Sequence, residues 1–236
     1  MSIRLFYQGL LGGGEVVILS KAQSHYLHNV MRCKQGFIVN LFNNTSGEWQ
    51  ATISNPSKNA CELLIADIIK PPSEMRPLYF AYAPVKHGCA QTITQATELG
   101  VTNIIPVITE RTIVRKVNPE KLLQNALDAT QQCERLQPPM IHPITTLEDL
   151  LSSPPFEGHL LFCKERSDSA INALPLTGYG HCVLIGPEGG FTPREIDMIE
   201  ANPKTFSIGM GERIMKAGTA SIAALAVYQS LYGHWE

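Results

Sequence analysis

The chain has 236 residues, 44% hydrophobic and 17% charged, a composition that suits one large or two small globular domains with a sizeable core. A formal net charge of −2 argues weakly against nucleic-acid binding by bulk charge, and no run approaches the roughly 18 apolar residues of a bilayer span. Six scattered cysteines without Cys-x-x-Cys spacing give no support to zinc-site or thioredoxin-like readings and fit a reducing cytosol.

The charge is uneven. Residues 1–76 carry seven Lys/Arg against five Asp/Glu, and the remainder twelve against sixteen. A mildly basic N-terminal part on an acidic body is compatible with a local RNA-contacting face. The N-terminus lacks a basic leader, and Gly12-Gly13-Gly14 breaks its apolar stretch, so no signal peptide is expected.

In chain order, residues 1–70 read as short strands. Ile3 to Gln8 and Glu15 to Leu19 flank the triple glycine, and Phe37 to Phe42 and Glu48 to Ile53 flank the turn-rich Asn43 to Gly47. Cys61 to Ile69 completes the set. One helix interrupts it, capped by Ser20, with Ala22, Tyr26, Leu27, Val30 and Met31 at helical spacing. Short strands with turn signals predict a small β-barrel. Lys70 to Pro77 holds three prolines in eight residues, a stiff stretch that cannot join a ladder. The chain therefore divides into a domain at 1–70, a linker at 71–77 and a domain at 78–236.

Beyond the linker, strands and helices alternate. Strands are expected at Leu78 to Ala83, Asn103 to Ile108, His159 to Cys163, His181 to Ile185 and Thr205 to Ile208. Helices are expected at Lys86 to Leu99, stopped by Gly100, from Asn118-Pro119 onward, from Thr192-Pro193 onward, and at about Thr219 to Tyr232. This alternation predicts an α/β fold with a mostly parallel sheet. The last helix has little polar face, so it is expected to be buried on a second side by another subunit.

Two glycine-bearing loops follow predicted strands: Ile185-Gly186-Pro187-Glu188-Gly189-Gly190 and Met210-Gly211-Glu212-Arg213-Ile214-Met215-Lys216. Loops at the carboxyl ends of neighbouring strands in an open α/β sheet form ligand pockets. A plain strand-to-helix turn would also explain the first loop, and a strand end the glycines of the second. Neither loop is a dinucleotide fingerprint or a Walker loop. That spacing leaves a pocket of backbone amides and apolar side chains, suited to adenosine with a thioether or sulfonium tail. His25 and His28 share one helix without a visible third ligand, so no metal is expected.

The run Ile185 to Phe191, with Gly211-x-Arg213-Ile214 and Thr219-Ala220, resembles the RsmE family of SPOUT-class methyltransferases. Ala96-Thr97-Glu98-Leu99-Gly100-Val101, Ile104 to Val107, Thr109-Glu110-Arg111, Arg4 with Phe6, and His25 with Met31-Arg32 and Gly36 agree with it. The resemblance runs nearly end to end. It implies a PUA-like β-barrel RNA-binding domain followed by a SPOUT α/β domain with a deep trefoil knot. It also implies a cytoplasmic homodimer, joined through the knot region and the last helix. The expected reaction is S-adenosylmethionine-dependent methylation of N3 of a uridine in 16S rRNA of the small subunit.

On that resemblance the cofactor lies against Thr109, then Ile185, Gly186, Pro187, Glu188 and Gly189, and Met210, Gly211, Ile214 and Met215. Arg4, His25, Arg32, Arg111 and Arg115 become candidate RNA contacts, and replacing Arg4 and Arg32 together is expected to flatten the salt dependence of RNA binding by about two units. Arg213, assisted by Lys216, is the candidate for stabilising the uridine anion, against the plainer reading of Arg213 as a phosphate contact. Glu188 is the weaker candidate for a base, because backbone amides would lower its pKa. The chain departs from the family pattern at Thr94-Gln95, Gln131-Gln132 and Lys216-Ala217-Gly218. Three charged side chains are lost, at Gln95, Gln131 and Gly218, and one fork-shaped donor becomes a point charge at Lys216; all four positions are expected near pocket or RNA. A catalytically weakened RNA-binding relative is the alternative, and an unrelated α/β enzyme with a nucleotide cofactor is the third.

Overall fold

The computed structural model describes residues 3–164 and 174–233, which form two units: Met1–Glu74 with Thr130–Gln137, and Met75–Ala129 with Pro138–Glu236.

The first unit is a five-stranded mixed sheet. Its strands are β1 (Ile3–Phe6), β2 (Val16–Ile18), β3 (Ile38–Asn43), β4 (Gly47–Asn55) and β5 (Glu62–Lys70), in the order β1-β3-β4-β5-β2. The turn residues Asn43 to Gly47 do make a hairpin, with Asn43 paired to Gly47. Gly47 holds φ at +84°, a conformation glycine adopts without steric cost. The strands on either side of Gly12 to Gly14 do not pair with each other. β1 runs parallel to β3 and β2 antiparallel to β5, so they stand at opposite ends of the hydrogen-bonded order. Among the described residues the expected barrel is thus a sheet whose end strands are not paired. Its core is Leu27, Val39, Leu41, Ile53, Leu63 and Ile65 with their neighbours.

Ser20 caps α1 (Lys21–His25) in a capping box with Gln23. The helix then widens into a π-helical turn at Tyr26–Val30, which shifts the helical register. Leu27 is buried, whereas Tyr26, Val30 and Met31 are exposed rather than sharing its core face.

The second unit is a parallel sheet. Its strands are β6 (Leu78–Tyr82), β7 (Asn103–Ile108), β8 (Met140–Ile141), β10 (Leu160–Lys164), β11 (His181–Ile185) and β12 (Thr205–Gly209), in the order β12-β10-β11-β6-β7-β8. A short β9 (Thr145–Thr146) also pairs with β7. Helices α2 (Cys89–Glu98), α3 (Pro119–Gln132), α4 (Leu147–Ser152), α5 (Pro193–Glu200) and α6 (Ala217–Tyr232) complete the alternation.

Strand side chains alternate between the faces, as period two requires. Phe80, Tyr82, Leu161, Val183 and Ile185 share one core with α2 and α6. Ala81, Phe162, Cys182 and Leu184 share the other with α4 and α5. The first helix of this unit starts three residues later than its periodicity suggests, because Gly88 sits at φ +87°, outside the helical region. Gly100, at φ +84°, ends it where expected. No described helix is long and apolar enough to cross a membrane.

Candidate active site

The C-terminal ends of β10, β11 and β12 open on a cavity of about 740 Å³ in the second unit. β11 ends at Ile185 and turns through Gly186 to Thr192 into α5, while β12 ends at Gly209 and turns through Met210 to Lys216 into α6. Ile185, Gly186, Pro187, Glu188 and Gly189 line one side, and Met210, Gly211, Arg213, Ile214, Met215 and Lys216 another. The two loops are not on adjacent strands, contrary to expectation. β10 lies between them, and its end supplies Phe162, Cys163 and Lys164 to the wall. Sequence reasoning missed these three because strand order is a non-local property. The rule that parallel strands carry ligands at their carboxyl ends was the available signal.

The first loop comes to the cavity backbone first. A Cβ on Gly186 would strike the Phe191 ring, and one on Gly189 would lie 3.3 Å from the Arg111 Cβ. Thr192 then starts α5 with a full capping box to Glu195. The second loop reaches α6 through Lys216, which occupies the N-cap at φ −62° and ψ 149° and makes no side-chain cap bond.

Charge on the wall is mixed. Arg111, Lys164, Arg213 and Lys216 oppose Glu188 and Glu212. Lys164 is paired with Glu200 at 2.8 Å, and the bonds from Lys164 and Ser207 hold the Glu200 carboxyl below its ordinary range. Arg111 Nη1 donates to the Gly189 carbonyl at 2.8 Å and to that of Phe191 at 3.5 Å. The side chains of Arg213 and Lys216 are exposed and make no hydrogen bond or ion pair among the described residues. Burial pushes the Cys163 thiol up to about 12, so at neutral pH it is no nucleophile.

Two expected site residues lie elsewhere. Thr109 is buried and absent from the cavity wall. Its hydroxyl lies 2.8 Å from that of Thr112, which also accepts the Thr109 amide at 2.9 Å. Arg4 is buried within the first unit, and all five of its N–H groups are committed. Nε and one Nη2 proton go to Glu48 at 2.9 and 2.7 Å, and the others to the carbonyls of Thr130, Gln131 and Arg135. Arg4 therefore has no donor left for a phosphate, and the expectation of an RNA contact there is withdrawn. The salt-slope change expected for the Arg4 and Arg32 pair falls to about one unit, from Arg32 alone.

The other RNA candidates stay open to solvent. His25 ends α1, and Arg32 follows the π turn at φ +54°. Arg115 is exposed, with Nη2 3.4 Å from the Glu110 carbonyl. Among the departures from the family pattern, Lys216 and Ala217 line the cavity, while Gln95 and Gln131 do not. Gln131 Oε1 instead accepts the Phe6 amide at 3.4 Å.

The chain resembles known proteins along its length. A family model described as an RNA methyltransferase domain matches residues 72–229, and one described as an RNA methyltransferase PUA domain matches residues 19–66. Ribosomal RNA small subunit methyltransferase E of Rickettsia conorii is 33% identical over 96% of this chain and 94% of the relative. That of Synechocystis sp. is 31% identical over 91% and 73%. A crystal structure of the Neisseria gonorrhoeae enzyme of the same name, bound to S-adenosylmethionine, superposes with a TM-score of 0.90 at 25% identity, covering 100% of both chains.

Proposed function

We infer that this chain, which belongs to the ribosomal RNA small subunit methyltransferase E family, methylates N3 of one uridine in 16S rRNA with S-adenosylmethionine as the methyl donor. The observation that carries this reading is the cavity walled by both glycine loops, with Arg213 and Lys216 facing it uncommitted.

The wall suits that cofactor. Phe162, Ile185, Met210 and Ile214 offer apolar surface for the adenine and the methionine chain, and Glu188 and Glu212 offer acceptors for an ammonium group. The side-chain-free Gly186 and Gly189 let backbone amides approach the ring and ribose. When bound, the cofactor supplies an electrophilic methyl group.

The protein's own part is to make N3 a nucleophile. Uracil keeps its N3 proton at neutral pH, and each unit by which its pKa exceeds the ambient pH costs about 1.36 kcal/mol. A guanidinium and an ammonium in a partly enclosed cavity offset that cost by stabilising the anion spread over N3 and its flanking carbonyl oxygens. Arg213 supplies the fork-shaped donor and Lys216 a point charge. Arg213→Ala is expected to lower the single-turnover methylation rate by about 10²-fold at saturating RNA. An unchanged rate would exclude Arg213 from that catalytic role.

The PUA unit is assigned to RNA, with His25 and Arg32 as its exposed contacts, and Arg115 as a contact from the second unit. Two copies of the chain associate through the region of α6, which leaves Val227 and Leu231 exposed on one stripe. A ribosomal RNA target supports a cytoplasmic location. The second reading, an RNA-binding relative with weakened catalysis, rests on Lys216 and Ala217 in the cavity wall and on Gly218 next to them in sequence. Incubation with labelled cofactor and small subunits lacking the modification separates the two. Label in 16S rRNA supports the enzyme, and RNA retention without label supports the weakened relative.

A further inference from the structure

Glu195 lies at the start of α5 and is 2% exposed. A capping box needs one acceptor from such a residue, and Oε2 provides it, accepting the Thr192 amide at 2.8 Å. The other oxygen does something a cap does not require. Oε1 accepts the amide of Glu110 at 2.7 Å, from the turn that follows β7, 85 positions away in sequence. That turn is itself stiff, because Thr112 bonds both the amide and the hydroxyl of Thr109.

The next residue of the turn sends a tie in the opposite direction. Arg111 Nη1 donates to the carbonyls of Gly189 and Phe191, and its stem packs against the face of Gly189 where a side chain would stand. The segment from Gly189 to Thr192 is therefore gripped twice from one turn, once through an amide at its end and once through its carbonyls. Glu195 is absent from the cavity wall. Its carboxylate makes no contact with a ligand in the cavity, so its bonds act there through the loop they hold.

We propose that Glu195 is a positioning residue for cofactor binding. Together with Arg111 it forms a crossed latch between the Thr109–Thr112 turn and the Gly186–Gly190 loop, and so holds the loop in its binding shape before the cofactor arrives. Holding a loop in its bound conformation removes an ordering cost from the binding step. The proposal rests on the reading of the cavity as a site for S-adenosylmethionine.

The test is calorimetric titration of the full-length protein with S-adenosylmethionine, with melting temperatures measured in parallel without cofactor. Glu195→Gln keeps the size of the side chain but replaces one acceptor with a donor, so one of the two amide bonds is lost. It is expected to weaken cofactor affinity by about tenfold, the size of one charge-assisted hydrogen bond, while kcat at saturating cofactor stays unchanged. Arg111→Met should weaken affinity similarly, and the double variant should lose less than the product of the single effects. Thr192→Ala is the control for simple stability. It removes the hydroxyl that caps the Glu195 amide and its 3.2 Å bond to Oε2, but leaves both amide ties to the carboxylate, from Thr192 and from Glu110, so the melting temperature should fall without loss of affinity. If Thr192→Ala and Glu195→Gln weaken binding equally, or if Glu195→Gln binds normally, the latch is overturned. If the unsubstituted protein binds no S-adenosylmethionine, the cofactor reading fails and the latch with it.

Discussion

At the scale of single residues, Arg4 and Glu48 form a pair whose role is architectural. Both are buried, and Asn40 adds a third hydrogen bond to the carboxylate at 2.9 Å. Burial opposes ionisation of Glu48, but the hydrogen bonds and charge of Arg4, with Asn40 and Lys70, outweigh it and hold the carboxyl below its ordinary range. Arg4 also satisfies carbonyls in the last turn of α3, which no further turn of that helix can serve. Removing one partner leaves a buried charge uncompensated, so Arg4→Ala is expected to cost about 3–5 kcal/mol in urea denaturation. Replacing both residues with apolar ones should cost less. Because the folded pKa of Glu48 is depressed, its contribution is full above the ordinary carboxyl value of 4.5 and is lost as pH falls through the lower folded value. In Arg4→Ala this acid-side loss should shrink, which denaturation midpoints at pH 7 and pH 4 would show.

At the scale of elements, α6 breaks a local rule where the site needs it. A helix N-cap favours Ser, Thr, Asp or Asn, and a cation is unfavourable at the positive end of a helix. Lys216 nevertheless sits there and faces the cavity. Local rules are broken most often at functional sites. Lys216→Ser is expected to raise stability by about 1 kcal/mol and to slow methyl transfer by about tenfold or more. A slower rate together with a higher denaturation midpoint would establish the conflict, while an unchanged rate would remove Lys216 from catalysis. Gly218, in the first turn of the same helix, meets only Thr92 Oγ1 at 3.8 Å where a Cβ would stand. Gly218→Ala should therefore stabilise the helix by up to about 1 kcal/mol, read as a rise in melting temperature.

Elements with strong local chemistry were legible in the sequence. Asn103–Ile108 is a strand over the expected residues, Thr192 and Glu195 form the capping box, and Asn118 caps α3 through its side chain at 3.1 Å. What failed was decided by partners far along the chain. The π-helical turn at Tyr26–Val30 changes which side chains face the core, and helical periodicity carries no mark of it. The short β8, β9 and α4 were not foreseen, since two-residue strands and a six-residue helix carry little pattern. In the site, the loop residues were legible from their glycines. Thr109 lies outside the cavity wall, and β10, the wall between the loops, left no local mark. Arg4 was read as a phosphate ligand because sequence shows a charge without showing that Glu48 lies opposite.

At the scale of the whole molecule, two family domains occupy one chain, an RNA-binding module and a catalytic one. The β-α alternation and the proline-rich stretch before Leu78 made that division visible, although residues 130–137 belong with the first unit, which no linear reading would assign. Val227 and Leu231, four residues apart on α6, are 39% and 45% exposed in the single chain. Two large apolar residues on one helical stripe fit a surface covered by a second copy. Sedimentation of the unsubstituted protein should give a dimer. Val227→Asp with Leu231→Asp should give a monomer with much reduced methyl transfer, and a dimer from the double variant would move the interface elsewhere.

Methyl transfer to small-subunit RNA is proposed to take place in the cavity walled by the two glycine loops. The most direct measurement is nucleoside mass spectrometry of 16S rRNA from unmodified small subunits after incubation with the protein and S-adenosylmethionine. One uridine converted to 3-methyluridine, with the conversion strongly slowed in Arg213→Ala, is the predicted result. No new methylated nucleoside, or one methylated at a position other than N3 of uridine, would contradict it.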